Sequence, residues 1–335
     1  MTGSGWRQSR VNPEPLPLFP EREHALPVPS GPDLSVNLGP LHLQNPVTVA
    51  SGTFGWGDDY ADFFPPRMLG ALTTKTITLQ PREGNPPPRV AETPSGMLNS
   101  IGLQNPGLEA FVADILPRVE RLGPPVIVSV AGESQEEYLQ LAARLAECPS
   151  AAALELNLSC PNVPRGGLEF GVDPSVVSQL VAAVRQQWPR TLLVKLSPNV
   201  TDIVALAQAA VNAGADALAL INTIIGMRID VERRRPFLRR GVGGLSGPAI
   251  RPVAVRMVWQ VHRRLPSVPL VGMGGIACAE DALEFILAGA TAVAVGTANF
   301  VNPRAPADVL DGLKAYLERE QETSIRDLIG AAHRP

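Results

Sequence analysis

From Leu34 onward, short β-branched and apolar runs alternate with longer stretches of helical spacing, and the alternation repeats eight times. The strand-like runs are Val47–Ser51, Ala71–Thr76, Val126–Val130, Ala153–Asn157, Leu192–Lys195, Ala217–Ile221, Leu270–Met273 and Ala292–Val295. Between them lie helix-length stretches at Leu108–Arg121, Gln135–Glu147, Pro174–Gln187, Thr201–Asn212, Pro248–Arg264 and Ala279–Ala288. Asp58–Phe64 is a shorter candidate, and Ala307–Arg319 supplies a last helix. Strands that alternate with helices read as parallel neighbours, and eight such pairs predict an α/β fold of the closed (β/α)8 TIM barrel type. The chain has 335 residues, enough for one barrel with additions.

Two connections exceed what a simple strand-to-helix loop needs. Ile77–Gly107 is rich in Pro and Gly, and Asn222–Ser246 carries Arg233, Arg234, Arg235, Arg239 and Arg240. Both follow strand C-termini, so they are expected as functional insertions at the C-terminal face of the barrel. The arginine run reads as a solvated hairpin rather than a nucleic-acid patch, because the net charge is −3 and only Phe237 offers an aromatic platform. A docking surface for a partner is the functional alternative. Residues 1–33 hold seven prolines without apolar periodicity and read as an arm, leaving 34–335 as the catalytic domain.

No apolar run approaches the roughly 18 residues that a membrane helix needs, and no basic-then-apolar leader is present, so a cytoplasmic protein is expected. The cysteines are Cys148, Cys160 and Cys278, with no CxxC pair, so this chain alone does not build a four-thiolate cluster. His24, His42, His262 and His333 show no ligand spacing, and no metal site is expected. Cys148 and Cys278 read as buried structural thiols.

The strand C-termini carry the chemistry. In order they end in Ser51-Gly52-Thr53, Lys75-Thr76, Asn157, Lys195, Asn222-Thr223, Gly274-Gly275 and Gly296-Thr297. A single strand-end Lys or Asn is ordinarily solvated or a cap; this many from different strands point to one polar site. The glycines at the last two ends let backbone N–H groups approach a phosphate. Lys195 lies between apolar Val194 and Leu196 and calls for an anionic companion. It is either a Schiff-base lysine or a fixed cation beside a cofactor that gains negative charge. Asn99, Asn157, Asn162 and Asn222 offer donors and acceptors but no proton chemistry, which suits a planar ring such as a pyrimidine dione. Cys160 stands just past a strand end among Pro and Gly, where a thiol of reference pKa about 8.5 needs only modest lowering to act as a base.

Several blocks carry a family resemblance. They are Asn45–Gly55 (NPVTVASGTFG), Thr73–Leu79 (TTKTITL), Asn85–Glu109 with PPPRVAETPSGMLNSIGLQNPGLE, and Leu154–Asn162 (LELNLSCPN). They continue through Lys195–Ile203 (KLSPNVTDI), Ile221–Asp230 (INTIIGMRID), Gly243–Ile250 (GGLSGPAI) and Ala292–Pro303 (AVAVGTANFVNP). In these blocks the chain resembles the class 1 dihydroorotate dehydrogenases, and most closely the NAD-linked class 1B branch.

The resemblance implies FMN at the barrel mouth and oxidation of dihydroorotate to orotate in pyrimidine biosynthesis. Cys160 then takes the C5 proton while hydride passes from C6 to N5 of the flavin. The implied substrate clasp is Lys75, Asn99, Ser100, Ile101, Gly102, Leu103, Asn157, Asn162, Asn222 and Thr223. The implied FMN site is Ser51, Lys75, Thr76, Asn157, Lys195, Ile221, Gly247, Gly274, Gly275, Gly296 and Thr297. Lys195 offsets negative charge on the reduced flavin. Ser129 departs from the asparagine common in the family at the third strand end, which puts one flavin contact in doubt.

Class 1B enzymes pair with a second subunit that carries FAD and a 2Fe–2S cluster and passes electrons to NAD; a homodimer of the catalytic chain is also expected. Membrane-bound class 2 enzymes use Ser as base and an amphipathic anchor, unlike Cys160 and the proline-rich arm here. The rival readings are a dihydropyrimidine dehydrogenase on the same flavin barrel, a Schiff-base lyase using Lys195, and a non-catalytic phosphate-binding barrel.

Overall fold

A computed structural model describes residues 31–158 and 171–334. Eight parallel strands form the barrel: β1 (Val47–Val49), β2 (Leu72–Thr73), β3 (Val126–Val130), β4 (Ala151–Asn157), β5 (Thr191–Lys195), β6 (Ala217–Leu220), β7 (Leu270–Met273) and β8 (Ala292–Val295). They are hydrogen-bonded in the order β1-β8-β7-β6-β5-β4-β3-β2. The remaining seam, between β1 and β2, is bridged where Gly70 N donates to Val47 O at 2.8 Å. The arrangement is the (β/α)8 barrel that the alternation predicts.

The helices are α1, continuous through Leu108–Ala110, Phe111–Ile115 and Leu116–Glu120, then α2 (Gln135–Ala146), α3 (Pro174–Gln187) and α4 (Ile203–Asn212). They continue with α5 (Arg251–Arg264), α6 (Ala279–Leu287) and α7 (Ala305–Glu320). Each buries one apolar stripe on the sheet, as α3 does with Val177, Leu180, Val181 and Val184. Side-chain caps set several starts. Asp202 accepts from Val204 N and Ala205 N, so α4 begins at Ile203 rather than Thr201. The segment at Pro248–Ile250 is a 3-10 turn that feeds α5, and Asp58–Tyr60 is likewise a single 3-10 turn.

The two long insertions are not loops. Val90–Thr93, Gly96–Asn99, Ile224–Met227 and Val242–Ser246 form a four-stranded antiparallel sheet, with Gly244 opposite Asn99 and Ser246 opposite Met97. Periodicity does not announce it, because glycines interrupt the run and the two halves pair across the chain rather than locally. Gly244 is required there: a Cβ would stand 2.1 Å from Thr223 Oγ1. A second hairpin, Ile229–Asp230 with Arg235–Pro236, carries the exposed Arg233, Arg234 and Arg235, in keeping with the solvated reading.

A hairpin of Val36–Leu38 and Leu41–Leu43 precedes β1 and buries Val36, Leu38 and Leu43. Asp33 N donates to Thr323 O at 2.8 Å, beyond the end of α7. Residues 1–30 of the proline-rich arm lie outside the described residues. Cys148 and Cys278 are not the buried thiols expected from composition. Cys148 is half-buried and Cys278 is exposed at the start of α6, where Asp281 Oδ2 accepts from Cys278 N at 3.2 Å. Among the described residues no helix is long and apolar enough to cross a membrane.

Candidate active site

A cavity of about 580 Å³ opens at the C-terminal ends of the strands, under the antiparallel sheet. That volume lies within the usual range for small-molecule sites. Every strand end or following loop contributes except that of β3: Ser51 after β1, Lys75 and Thr76 after β2, Asn157 of β4, Lys195 of β5, and Ile221, Asn222 and Thr223 after β6. Gly274 and Gly275 follow β7, and Gly296 and Thr297 follow β8. The antiparallel sheet and its approach add Asn99, Ser100, Ile101, Gly102, Leu103 and Gly247. Thus the predicted site residues that are described line one space, with a single exception.

The exception is Ser129. It is fully buried on β3, and its Oγ lies 3.0 Å from Thr76 Oγ1, so it reaches the cavity only through Thr76. Cys160 and Asn162 lie outside the described residues; Leu158 and Gly171, on either side of that gap, both line the cavity.

Amides organise the floor. Asn222 Nδ2 donates to Asn157 Oδ1 at 3.2 Å, and Asn157 Nδ2 donates to Thr76 Oγ1 at 3.4 Å. From behind the sheet, Tyr138 Oη donates to the Asn157 carbonyl at 2.9 Å, anchoring the end of β4. Asn222 Oδ1 accepts from Thr223 N at 2.8 Å, and Asn199 Nδ2 donates to Thr223 O at 3.0 Å. These bonds fix the orientation of the amides at the cavity floor.

The cations differ in setting. Lys195 is 5% exposed, and its Nζ donates to Ser51 Oγ at 3.3 Å. No carboxylate forms a direct ion pair with it among the described residues, so its ammonium is left to interact with an anionic ligand in the cavity. Lys75 is held below the ordinary lysine range, first by burial and then by the nearby Arg89 guanidinium. At the β8 end, Thr297 Oγ1 donates to Ser246 Oγ at 2.8 Å. Gly274 and Gly275 adopt φ of 129° and 86°, conformations that leave the β7 turn to glycine.

Several lining residues escape the sequence reading. Ser246 precedes Gly247, and Ser197 and Asn199 stand two and four residues past Lys195, so closeness to named residues is the signal that marks them. Arg240, from the arginine run, also lines the cavity, with its Nη1 3.5 Å from Asn85 Oδ1. To that extent the run is more than a solvated hairpin.

The site fits a flavin mononucleotide on its own chemistry. A buried ammonium without an ion-pair partner among the described residues, a cluster of carboxamides and a glycine turn beside a threonine suit an electron-accepting ring, its dione edge and a phosphate.

Comparison with known proteins shows the family. Residues 33–317 match the family model for dihydroorotate dehydrogenase. The chain is 55% identical over 300 residues to the dihydroorotate dehydrogenase B (NAD(+)) catalytic subunit of Pelobacter propionicus, covering 90% of this chain and 98% of that protein. The subunit of the same name from Desulforudis audaxviator is 58% identical over 90% of this chain and 97% of its own length. That from Bacteroides thetaiotaomicron is 50% identical over 89% of this chain and 98% of its own length.

Proposed function

The chain belongs to the dihydroorotate dehydrogenase family, and from that premise we propose that it is a class 1B catalytic subunit that oxidises dihydroorotate to orotate with FMN. The observation that carries the reading is the convergence of Lys75, Asn99, Asn157 and Asn222 on the cavity that also holds the buried Lys195. The first four suit an anionic pyrimidine dione, and Lys195 suits an electron-accepting ring beneath it. The match to relatives over nearly their whole length supports the same activity, a step of pyrimidine biosynthesis.

In this reading the dione edge of dihydroorotate meets the amides of Asn99, Asn157 and Asn222, and its carboxylate meets Lys75. Ser51, Thr76 and Lys195 hold the flavin ring, while Gly274, Gly275, Gly296 and Thr297 offer N–H and O–H donors to its phosphate. Bound there, FMN supplies the two-electron acceptor for the hydride that leaves C6. Cys160, as thiolate, takes the C5 proton, so the C5–H and C6–H bonds break as the C5=C6 bond forms. The flanking Leu158 and Gly171 bring the chain to the cavity on both sides of that thiol. Lys195 compensates the negative charge that the ring gains.

The relatives' names, each a catalytic subunit of an NAD(+) enzyme, support a separate partner subunit; in the proposed reading that partner carries FAD and a 2Fe–2S cluster and passes electrons to NAD. A homodimer of this chain, measurable by sedimentation, belongs to the same proposal. The test is anaerobic reduction of the purified chain by dihydroorotate, followed by reoxidation with NAD, fumarate and quinone in turn. Bleaching of a flavin band by dihydroorotate is expected, with NAD effective only once the partner is added. Protein without flavin, or flavin untouched by dihydroorotate, refutes the reading.

A further inference from the structure

One charged group inside the barrel has no part in the chemistry above. Glu155 lies on β4 two residues before Asn157, so by the two-residue repeat of a strand its side chain takes the same inward face. It is level with Ser129 on β3 and Leu193 on β5. Its residue is 2% exposed, and its Oε1 is buried with no hydrogen-bond partner.

Lys195, one pleat nearer the mouth on β5, stands opposite Asn157 and is the complementary orphan. Its Nζ meets the Ser51 hydroxyl and no carboxylate among the described residues. Strand spacing puts the two backbones about 8 Å apart on the diagonal. An isolated ion of either sign is costly in such an interior, and each lowers the cost of the other through the low-dielectric space between them. Among the described residues, neither Lys75 nor Arg240, the other cations lining the cavity, forms an ion pair with Glu155.

We propose that Glu155 is the internal counter-charge to Lys195, a positioning residue that sets the net charge beneath the flavin. The inference rests on the flavin reading above. A Glu155 carboxylate offsets the charge of Lys195; without it, the full positive charge of Lys195 faces whatever binds above. The carboxylate therefore restrains the affinity of the site for anions and the ease with which the ring accepts electrons.

Sulfite tests this, because it adds to an oxidised flavin and leaves a negative charge on the ring. With reconstituted holoenzyme, Glu155→Gln is expected to bind sulfite roughly 5- to 30-fold more tightly, read as bleaching of the visible flavin band. Orotate affinity shifts in the same direction. Glu155→Asp, which keeps the charge, restores the wild-type sulfite affinity, which a role in packing alone does not predict. Equal sulfite affinity in Glu155→Gln and wild-type protein overturns the inference alone; a wild-type chain that takes up no flavin overturns the flavin reading with it. Should Glu155→Gln not accumulate folded, infrared difference spectra of wild-type holoenzyme labelled at glutamate decide. An ionised carboxylate band perturbed by flavin reduction supports the inference, and a protonated acid band in its place overturns it.

Discussion

The Lys195 ammonium donates to the Ser51 hydroxyl at 3.3 Å, from β5 across to the end of β1 on the far side of the ring. The side chain therefore lies across the barrel mouth as a cationic bar. Lys195→Met removes the charge while filling most of the space. We expect flavin to dissociate roughly 10- to 100-fold more readily, the effect of losing a hydrogen bond to a charged group. Fluorescence of released flavin on dilution measures it; unchanged retention refutes the placement of Lys195 against the ring.

Cys160→Ala is expected to keep FMN but slow flavin reduction by dihydroorotate about 10²- to 10⁴-fold, the range for loss of a general base. Anaerobic stopped-flow absorbance gives the rate directly. Cys160→Ser is expected to retain part of the activity and to gain at high pH. A Cys160→Ala rate near that of wild type removes the thiol from the chemistry.

Lys75 titrates below the usual lysine range, chiefly because it is buried and secondarily because Arg89 is close. If, as proposed, the cationic form binds the orotate carboxylate, affinity falls as pH rises through that lowered value. The fall begins at lower pH than an ordinary lysine allows. Calorimetric titration against pH checks the profile, and Lys75→Ala abolishes it. Lys75→Ala is also expected to weaken orotate far more than uracil; equal losses point instead to a dihydropyrimidine substrate.

Gly244→Ala places a Cβ where Thr223 Oγ1 stands 2.1 Å away. Thr223 must move, and the antiparallel sheet over the mouth shifts with it. We expect KM for dihydroorotate to rise about tenfold while flavin content is unchanged, since displacements near 1 Å in a positioning group cost up to about 100-fold. Steady-state kinetics beside a flavin-to-protein ratio separates the two effects.

His262 is pushed below the ordinary histidine range, first by burial and then by the neighbouring His333 ring, whose centroid is 4.9 Å away. Its Nδ1 is buried without a partner, and His333 stacks on Trp259 with centroids 5.0 Å apart. A depressed value means that the unfolded chain takes up the proton first. Stability is therefore full above the unfolded histidine value of about 6.5 and declines as pH falls below it. Thermal melts between about pH 7.5 and pH 5 should show the decline, and His262→Gln should flatten that part of it.

The barrel was legible in the chain because each strand–helix unit writes its own period locally. Val126–Val130, Leu270–Met273 and Ala292–Val295 keep the same bounds in the structure. The polar strand ends were legible for the same reason: once strand order is known, the C-terminal residue of each strand must face one mouth. The antiparallel sheet was not, because its pairing joins Asn99 to Gly244 across 145 residues, and glycines dilute the alternation that marks a strand. Nor was the unpartnered state of the buried Glu155 Oε1, which nothing local to its strand marks. Local propensity and hydrophobic period depend on neighbours a few residues apart, so the sequence by itself determined the barrel and most of the strand-end side chains at its mouth. Ser197, Asn199, Ser246 and Arg240 joined the lining, and Ser129 fell behind Thr76, only in the tertiary structure. Which of those charges find partners depends on distances across the ring, and only the tertiary structure decided that.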